Sequence, residues 1–145
     1  MEQEPIDPLR RLPGYVLRRA SVAVMGELAE RLAPIGLRHV EATILLVLKD
    51  RPGMSQSALG RLLGIKRANM TPLAARLEEQ GLIRRMANDG RTLELQLSPE
   101  GEQLARKVGQ AIDAQEQALL ERIAPEHRPH VLPILLALWG EQPAN

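Results

Sequence analysis

Apolar positions recur at helical spacing along most of the chain. Outside the middle, four runs have apolar residues every three or four positions. They predict helices over residues 9–32, over His39–Lys49, from Ser98-Pro99 to about Ile123, and, with a bend at its prolines, between Glu126 and Trp139. The fold is therefore expected to be mainly α-helical.

The middle of the chain predicts two shorter helices joined by a turn. Ser55 is a suitable N-cap for the first, and Gly64 provides the turn after it. Four apolar residues of this helix are expected to face inward: Ala58, Leu59, Leu62 and Leu63. The second helix begins between Lys66 and Asn69 and ends near Gln80.

The second of these helices has a clear inward face and one awkward residue. Its inward residues follow the i, i+3, i+4, i+7 spacing: Met70, Leu73, Ala74 and Leu77. Pro72 fits comfortably only in a first turn, so the helix either begins near Asn69 or is kinked. Gly81 is a suitable residue to follow its end.

Two strands are predicted after this helix, over Leu82–Met86 and Thr92–Leu97. In the second strand, Leu93, Leu95 and Leu97 alternate with polar residues, and Asn88-Asp89-Gly90 supplies a turn between the strands. Two helices, a turn and a two-stranded hairpin form a winged helix-turn-helix, a unit that places a helix in a DNA groove.

Composition and charge agree with a DNA-binding domain. The 145 residues fit one domain, and the absence of cysteine excludes disulfides and thiol-based sensing. The net charge is only +1, but Arg61–Arg91 holds seven basic and three acidic residues, a local charge of +4. A phosphate-facing surface needs such a local patch. With no secretory signal and no apolar run of spanning length, a cytoplasmic, nucleoid-associated protein is expected.

Three stretches resemble the winged helix-turn-helix of the multiple-antibiotic-resistance-regulator (MarR) family of bacterial repressors. They are LGRLLGI entering the turn, RLEEQGLI closing the second helix, and DGRTLELQLSPEG across the hairpin. Asp89 and Arg91 match the family's Asp-x-Arg wing signature, and Ser98-Pro99-Glu100-Gly101 matches its junction into the next helix. The resemblance is good from about Ile35 to Leu104.

The resemblance implies a homodimer that binds pseudo-palindromic operator DNA as a repressor. Residues 1–36 and 99–145 would then supply the dimerisation helices, and residues 37–98 the DNA-binding domain. The high apolar content of the last helix is compatible with dimerisation, but burial within one chain remains an alternative.

The expected DNA contacts follow from the outward positions of the predicted helices and from the wing: Gln56, Ser57, Lys66, Arg67, Asn69, Thr71, Arg76 and Arg91. Arginine and asparagine can make paired hydrogen bonds to base edges, whereas Lys66 is expected to meet phosphate. Arg91 is placed to reach a minor groove. In the family the wing aspartate commonly pairs with a recognition-helix arginine, which implies a pair between Asp89 and Arg76; Arg76 would then orient the wing and read no base.

Many relatives bind a small anionic or aromatic ligand between the dimerisation helices and the DNA-binding lobe. The residues here that could line such a cleft are Arg10, Arg11, Tyr15, Arg18 and His39, with surface charges as the alternative. The spacing of His127 and His130 would put both imidazoles, with Glu126 nearby, on one helical face as in a metal site, but Pro129 disturbs the geometry and no third strong ligand is apparent. No metal, cofactor or enzymatic motif is predicted.

A winged helix that binds another protein, without sequence-specific DNA binding, is the competing hypothesis. The clustered charge argues against it, and salt-dependent binding to duplex DNA would separate the two.

Overall fold

A computed structural model describes residues 7–88, 90 and 92–141 of the chain. Its helices are α1 (Pro13–Leu32), α2 (His39–Asp50), α3 (Gln56–Leu63), α4 (Arg67–Glu79), α5 (Pro99–Glu121) and α6 (Arg128–Trp139). Its strands are β1 (Met54–Ser55), β2 (Ile83–Asn88) and β3 (Thr92–Leu97), and 3-10 helices cover Pro8–Arg11, Ala33–Ile35 and Pro125–His127. The predicted mainly α-helical winged fold is confirmed.

The sheet has three antiparallel strands in the order β1-β3-β2, one more than the sequence predicted. The strand that the sequence did not predict, β1, has only two residues, and its Met54 pairs with Leu95 of β3. So short a strand leaves no alternating pattern in the sequence. In the hairpin itself Ile83 pairs with Leu97 and Arg85 with Leu95.

The core lies between α2, α4, α5 and β3. Its fully buried apolar side chains include Ile44, Leu45 and Leu48 of α2, Leu77 of α4 and Leu95 of β3. Val108 of α5 is fully buried in the same core. The helix that carries most of the predicted DNA contacts is therefore anchored on one face by the centre of the domain.

Two leucines that were expected to face inward do not. Leu62 of α3 is 50% exposed and Leu93 of β3 is 51% exposed. In both places the repeating pattern continues, but the described residues leave about half of the side chain uncovered. The expected inward face of α4 is correct, since Met70, Ala74 and Leu77 are buried.

Pro72 lies inside α4, which begins at Arg67. The helix therefore begins within the predicted range of Lys66 to Asn69, but early enough that Pro72 lies beyond its first turn. Proline has no N–H to donate to the carbonyl four residues earlier. Nearby, the Thr71 hydroxyl donates to the Arg67 carbonyl at 3.1 Å. The predicted turn at Gly64 is confirmed: it has a φ of 66°, a left-handed conformation that glycine adopts without strain.

The junction into α5 is built on Ser98 and Gly101. The Ser98 hydroxyl accepts the Gly101 N–H and donates to the Gly81 carbonyl, just beyond α4. A Cβ on Gly101 would lie 2.0 Å from the Leu82 carbonyl oxygen, so only glycine fits there. The end of α4 and the start of α5 are thus held together. No helix in the described part of the chain is long and apolar enough to span a membrane.

Candidate nucleic-acid interface

The outward face of α4 presents polar side chains to solvent along its first half. Lys66 is the N-cap residue, and Lys66, Arg67, Asn69 and Thr71 are all exposed. They lie opposite the buried Met70 and Ala74. An arginine, a lysine and an asparagine on one accessible helical face are the side chains that contact base edges and phosphates in DNA complexes.

The start of α3 lies beside this face. Gln56 is its first residue, and its Nε2 donates to the Thr71 hydroxyl at 3.2 Å, which joins two of the predicted contacts. Ser57 is exposed next to it. The Ser55 hydroxyl accepts the Ala58 N–H and caps the helix as predicted. This end of the helix therefore has ordered backbone geometry beside α4.

A cleft of about 680 Å³ separates these helices from the wing. Arg61, Arg67 and Arg85 line it, and none of the described residues that line it is a carboxylate. Sequence reasoning missed Arg61 and Arg85 as members of this surface. Arg61 lies one helical turn after Ser57, so the helical period could have identified it. Arg85 alternates with the exposed Arg84 along β2, and the sequence alone favours solvated strand charges for both, with DNA contact as the alternative.

Arg85 is partly buried and has a partner. Its Nε lies 2.8 Å from Glu78 Oε2, so the strand is joined to the last turn of α4. On the other side of the same turn, Arg76 Nε lies 3.2 Å from Oε1 of Glu41, a buried residue of α2. The C-terminal turn of α4 is thus bonded both to α2 and to the wing.

Asp89 and Arg91 lie outside the described residues, so their predicted roles at the wing, including the pair between Asp89 and Arg76, stay predictions. The described ion pair of Arg76 is the one with Glu41.

The ligand candidates lie near the N-terminus and at the start of α2. The Tyr15 hydroxyl donates to Asp7 Oδ2 at 2.6 Å, and the guanidinium carbons of Arg18 and Arg19 lie 5.6 and 6.0 Å from the centre of its ring. This hydrogen bond raises the pKa of Tyr15 and, together with the Leu9 N–H, lowers the pKa of Asp7. Arg10 and Arg11 are exposed on the preceding 3-10 helix, and His39 is exposed at the first position of α2.

The C-terminal histidines lie in a different place. Glu126 and His127 belong to the 3-10 helix before α6, and His130 lies in its first turn. All three are exposed. Across the ranges that the structure describes, no three histidine, aspartate or glutamate residues are grouped so that they could hold a metal ion.

Comparison with known proteins decides the family. The model of the MarR family matches residues 37–93. A protein of Thauera aromatica named "Putative transcriptional regulatory protein for hcr operon" is 30% identical over 138 residues, which cover 91% of this chain and 83% of that protein. The chain belongs to the MarR family. As a MarR-family member it is a DNA-binding transcriptional regulator with a winged helix.

Solved structures of relatives agree with the fold of this MarR-family protein. The transcriptional repressor CouR bound to a 23-mer DNA duplex has a TM-score of 0.84 and 27% identity, covering 94% of this chain and 98% of that chain. CouR bound to p-coumaroyl-CoA has a TM-score of 0.81 and 26% identity, covering 94% and 97%. In a family of DNA-binding regulators, the polar face of α4 and the wing beside it form the surface that contacts DNA.

Proposed function

We propose that this protein is a repressor that binds an inverted-repeat operator as a homodimer and leaves it when an aromatic, negatively charged ligand binds. One observation carries the DNA-binding part. Helix α4 buries Met70, Ala74 and Leu77 while Arg67 and Asn69 remain in solvent. A helix with one buried face and one exposed polar face can insert the exposed face into the major groove while the buried face stays packed in the core.

Each predicted contact then has a role. Arg67 and Asn69 read base edges, and Lys66 and Thr71 meet the backbone or the flanking base. Gln56 and Ser57 at the start of α3 bind phosphate through backbone N–H groups. Arg91, supported by Asp89, reaches the minor groove. Arg61 and Arg85 join this surface from the two sides of the cleft.

Dimerisation is assigned to residues 1–36 and 99–145. Large apolar side chains remain exposed in both parts, among them Leu12 and Val22 before or within α1 and Leu132, Leu138 and Trp139 in α6. Large exposed apolar side chains in such numbers are typical of an interface. A second copy that covers it would place two α4 helices on one duplex, because a symmetric dimer reads a symmetric site.

The ligand is assigned to the class of aromatic acyl-CoA thioesters. The likeness to CouR, which is known bound to p-coumaroyl-CoA, supports this class. The chain offers matching chemistry, since Tyr15 supplies an aromatic ring while Arg10 and Arg18 supply positive charge for phosphate groups. His39 at the start of α2 would contact the ligand from the DNA-binding lobe.

The test is retention of genomic DNA by the purified protein at moderate salt, followed by sequencing. We expect enrichment of an inverted repeat and weaker binding by Arg91→Ala with unchanged thermal unfolding. Arg106→Ala, an exposed arginine of α5, is the matched control and should bind like the parent. Uniform or absent retention would favour a winged helix that binds protein instead of DNA.

The same retained duplex tests the ligand. Adding p-coumaroyl-CoA should release the parent protein, while coenzyme A alone should release much less. Arg18→Ala should need more thioester for the same release at unchanged DNA affinity. Equal release by coenzyme A alone would contradict the need for an aromatic acyl group.

A further inference from the structure

Glu41 is a carboxylate buried in the first turn of α2, with only 1% of its surface exposed. Its Oε2 accepts the Arg38 N–H at 3.0 Å and so caps the helix. Its Oε1 lies 3.2 Å from Nε of Arg76 in α4, whose side chain is 44% exposed. One buried side chain therefore joins the start of α2 to the last turn of the recognition helix.

This placement differs from that of the other cations of α4. Lys66 and Arg67 lie at the N-terminal end of the helix, the end that contacts bases in helix-turn-helix complexes. Arg76 lies three residues from the C-terminal end, and its Nε faces a carboxylate of the core. A guanidinium held in that way is oriented by the protein and has lost part of its freedom to pair with a base.

We propose that Arg76 is a positioning residue: through Glu41 it fixes the angle of α4 against α2, and it reads no base. The inference rests on the proposed DNA binding. Two roles were expected for Arg76, a DNA contact and a pair with Asp89 of the wing; the inference retains a positioning role but gives Arg76 a different partner, Glu41. The pair between Glu78 and Arg85 supports it, because it fixes the same turn of α4 to the wing. The exposed N-terminal half of α4 then remains for the DNA.

Removing either partner should have the same consequence. Without Arg76, a buried carboxylate loses its cation; without the charge of Glu41, Arg76 loses its anchor. If both changes act only through the pair, the second adds little to the first. A direct contact with DNA would behave differently, since Glu41 is buried and cannot touch a duplex.

The experiment is a double-mutant cycle on DNA binding over a range of salt concentrations. The probe is the inverted-repeat duplex that the parent protein selects from a random-sequence library, compared with an unselected duplex. Glu41→Gln retains an oxygen for the Arg38 N–H, and Arg76→Met retains the length of the side chain. Lys66→Met serves as the control for a direct phosphate contact.

We expect Glu41→Gln, Arg76→Met and the double variant each to bind the selected duplex about tenfold more weakly than the parent, with the losses not additive. Their preference over the unselected duplex should fall, whereas the slope of log affinity against log salt should not change. Lys66→Met should reduce that slope by about 0.9, the value for one lost phosphate contact. Arg76→Lys, which retains the cation, should bind better than Arg76→Met.

Two results would overturn the proposal. One is an Arg76→Met variant with a reduced salt slope beside a Glu41→Gln variant that binds like the parent. The other is additive losses. If the library yields no selected duplex, the proposed function fails. Thermal unfolding of the parent, the two single variants and the double variant then tests the pair between Glu41 and Arg76 by itself. Losses of stability that are not additive would support the pair, and strictly additive losses would exclude it.

Discussion

The middle of the chain and its two ends distribute their apolar side chains in opposite ways. Between residues 37 and 98, the core side chains of α2, α4 and β3 are fully buried. In α6 no residue is buried within the described Arg128–Trp139, and Trp139 is 74% exposed. Of the residues of α1, only Leu32 is buried. The middle completes its core within one chain with the help of α5, whereas α1 and α6 leave large apolar side chains exposed, as the proposed dimer would require.

This difference separates two tasks. The middle region presents a DNA-reading face that one chain can build by itself. In the proposed dimer, the ends would determine how far apart two such faces lie, and a palindromic site makes that spacing matter. The connection between the regions is the junction at Ser98 and Gly101, where the end of α4 meets the start of α5.

The largest effect is expected from Gly101→Ala. The added methyl carbon would overlap the Leu82 carbonyl oxygen at 2.0 Å, and the obstacle is backbone, which cannot rotate away. We expect a loss of about 4 kcal/mol or more in the free energy of unfolding, measured by urea denaturation. The junction would have to open, so both regions should be affected.

Gly109→Ala is the matched control on the same helix. The nearest atom to its added carbon is Leu46 Cδ2 at 3.9 Å, an ordinary contact. Alanine favours helix over glycine by about 1 kcal/mol, so this variant should be as stable as the parent or more stable. A Gly101→Ala protein that unfolds like Gly109→Ala would show that the junction is looser than described.

A smaller effect, confined to the ends, is expected from Leu132→Glu. Leu132 is 64% exposed in α6, so the single chain tolerates a charge there, but a dimer interface would bury it. We expect the dimer dissociation constant to rise about 100-fold, by sedimentation over a dilution series. Leu62→Glu is the control, since Leu62 is similarly exposed but lies in the middle region. If both variants raised the dimer dissociation constant equally, the exposed apolar side chains of the ends would have no special role in dimerisation.

The sequence was most informative where one chain builds its own core. The caps at Ser55 and Ser98, the turn at Gly64 and the inward face of α4 all follow local rules, and the structure agrees with each. Leu62 and Leu93 show where such rules end. Periodicity gives the side on which a residue lies, but only the packed fold decides whether something covers that side.

The candidate site was less predictable, because its pairs join residues distant in sequence. Glu41 and Arg76 come from different helices. The strand β1, with only two residues, is too short to leave a pattern in the sequence. Glu78 and Arg85 are seven positions apart, across the turn from helix to strand. Neither pair has a fixed spacing that a sequence pattern could reveal, whereas the resemblance to the MarR family predicted the unit as a whole.

The smallest effect is expected at Glu27, which joins α1 to α5 at the ends of the molecule. Its Oε2 accepts from Arg122 Nη2 and, at 3.2 Å, from Nε2 of the buried Gln115. These two hydrogen bonds lower the pKa of Glu27 below its usual 4.5. The pair therefore stabilises the fold above about pH 4.5 and loses that contribution as the pH falls through the lowered pKa.

Because both side chains are partly exposed, water and salt weaken the pair, so the change in Tm should be small. Glu27→Gln should lower Tm at neutral pH, and the difference from the parent should shrink on acidification. Glu30→Gln, an exposed glutamate on the same helix, controls for the loss of one negative charge. A difference that stays constant down to acid pH would mean that Glu27 acts by packing alone. The contact between α1 and α5 would then not depend on the charge of Glu27.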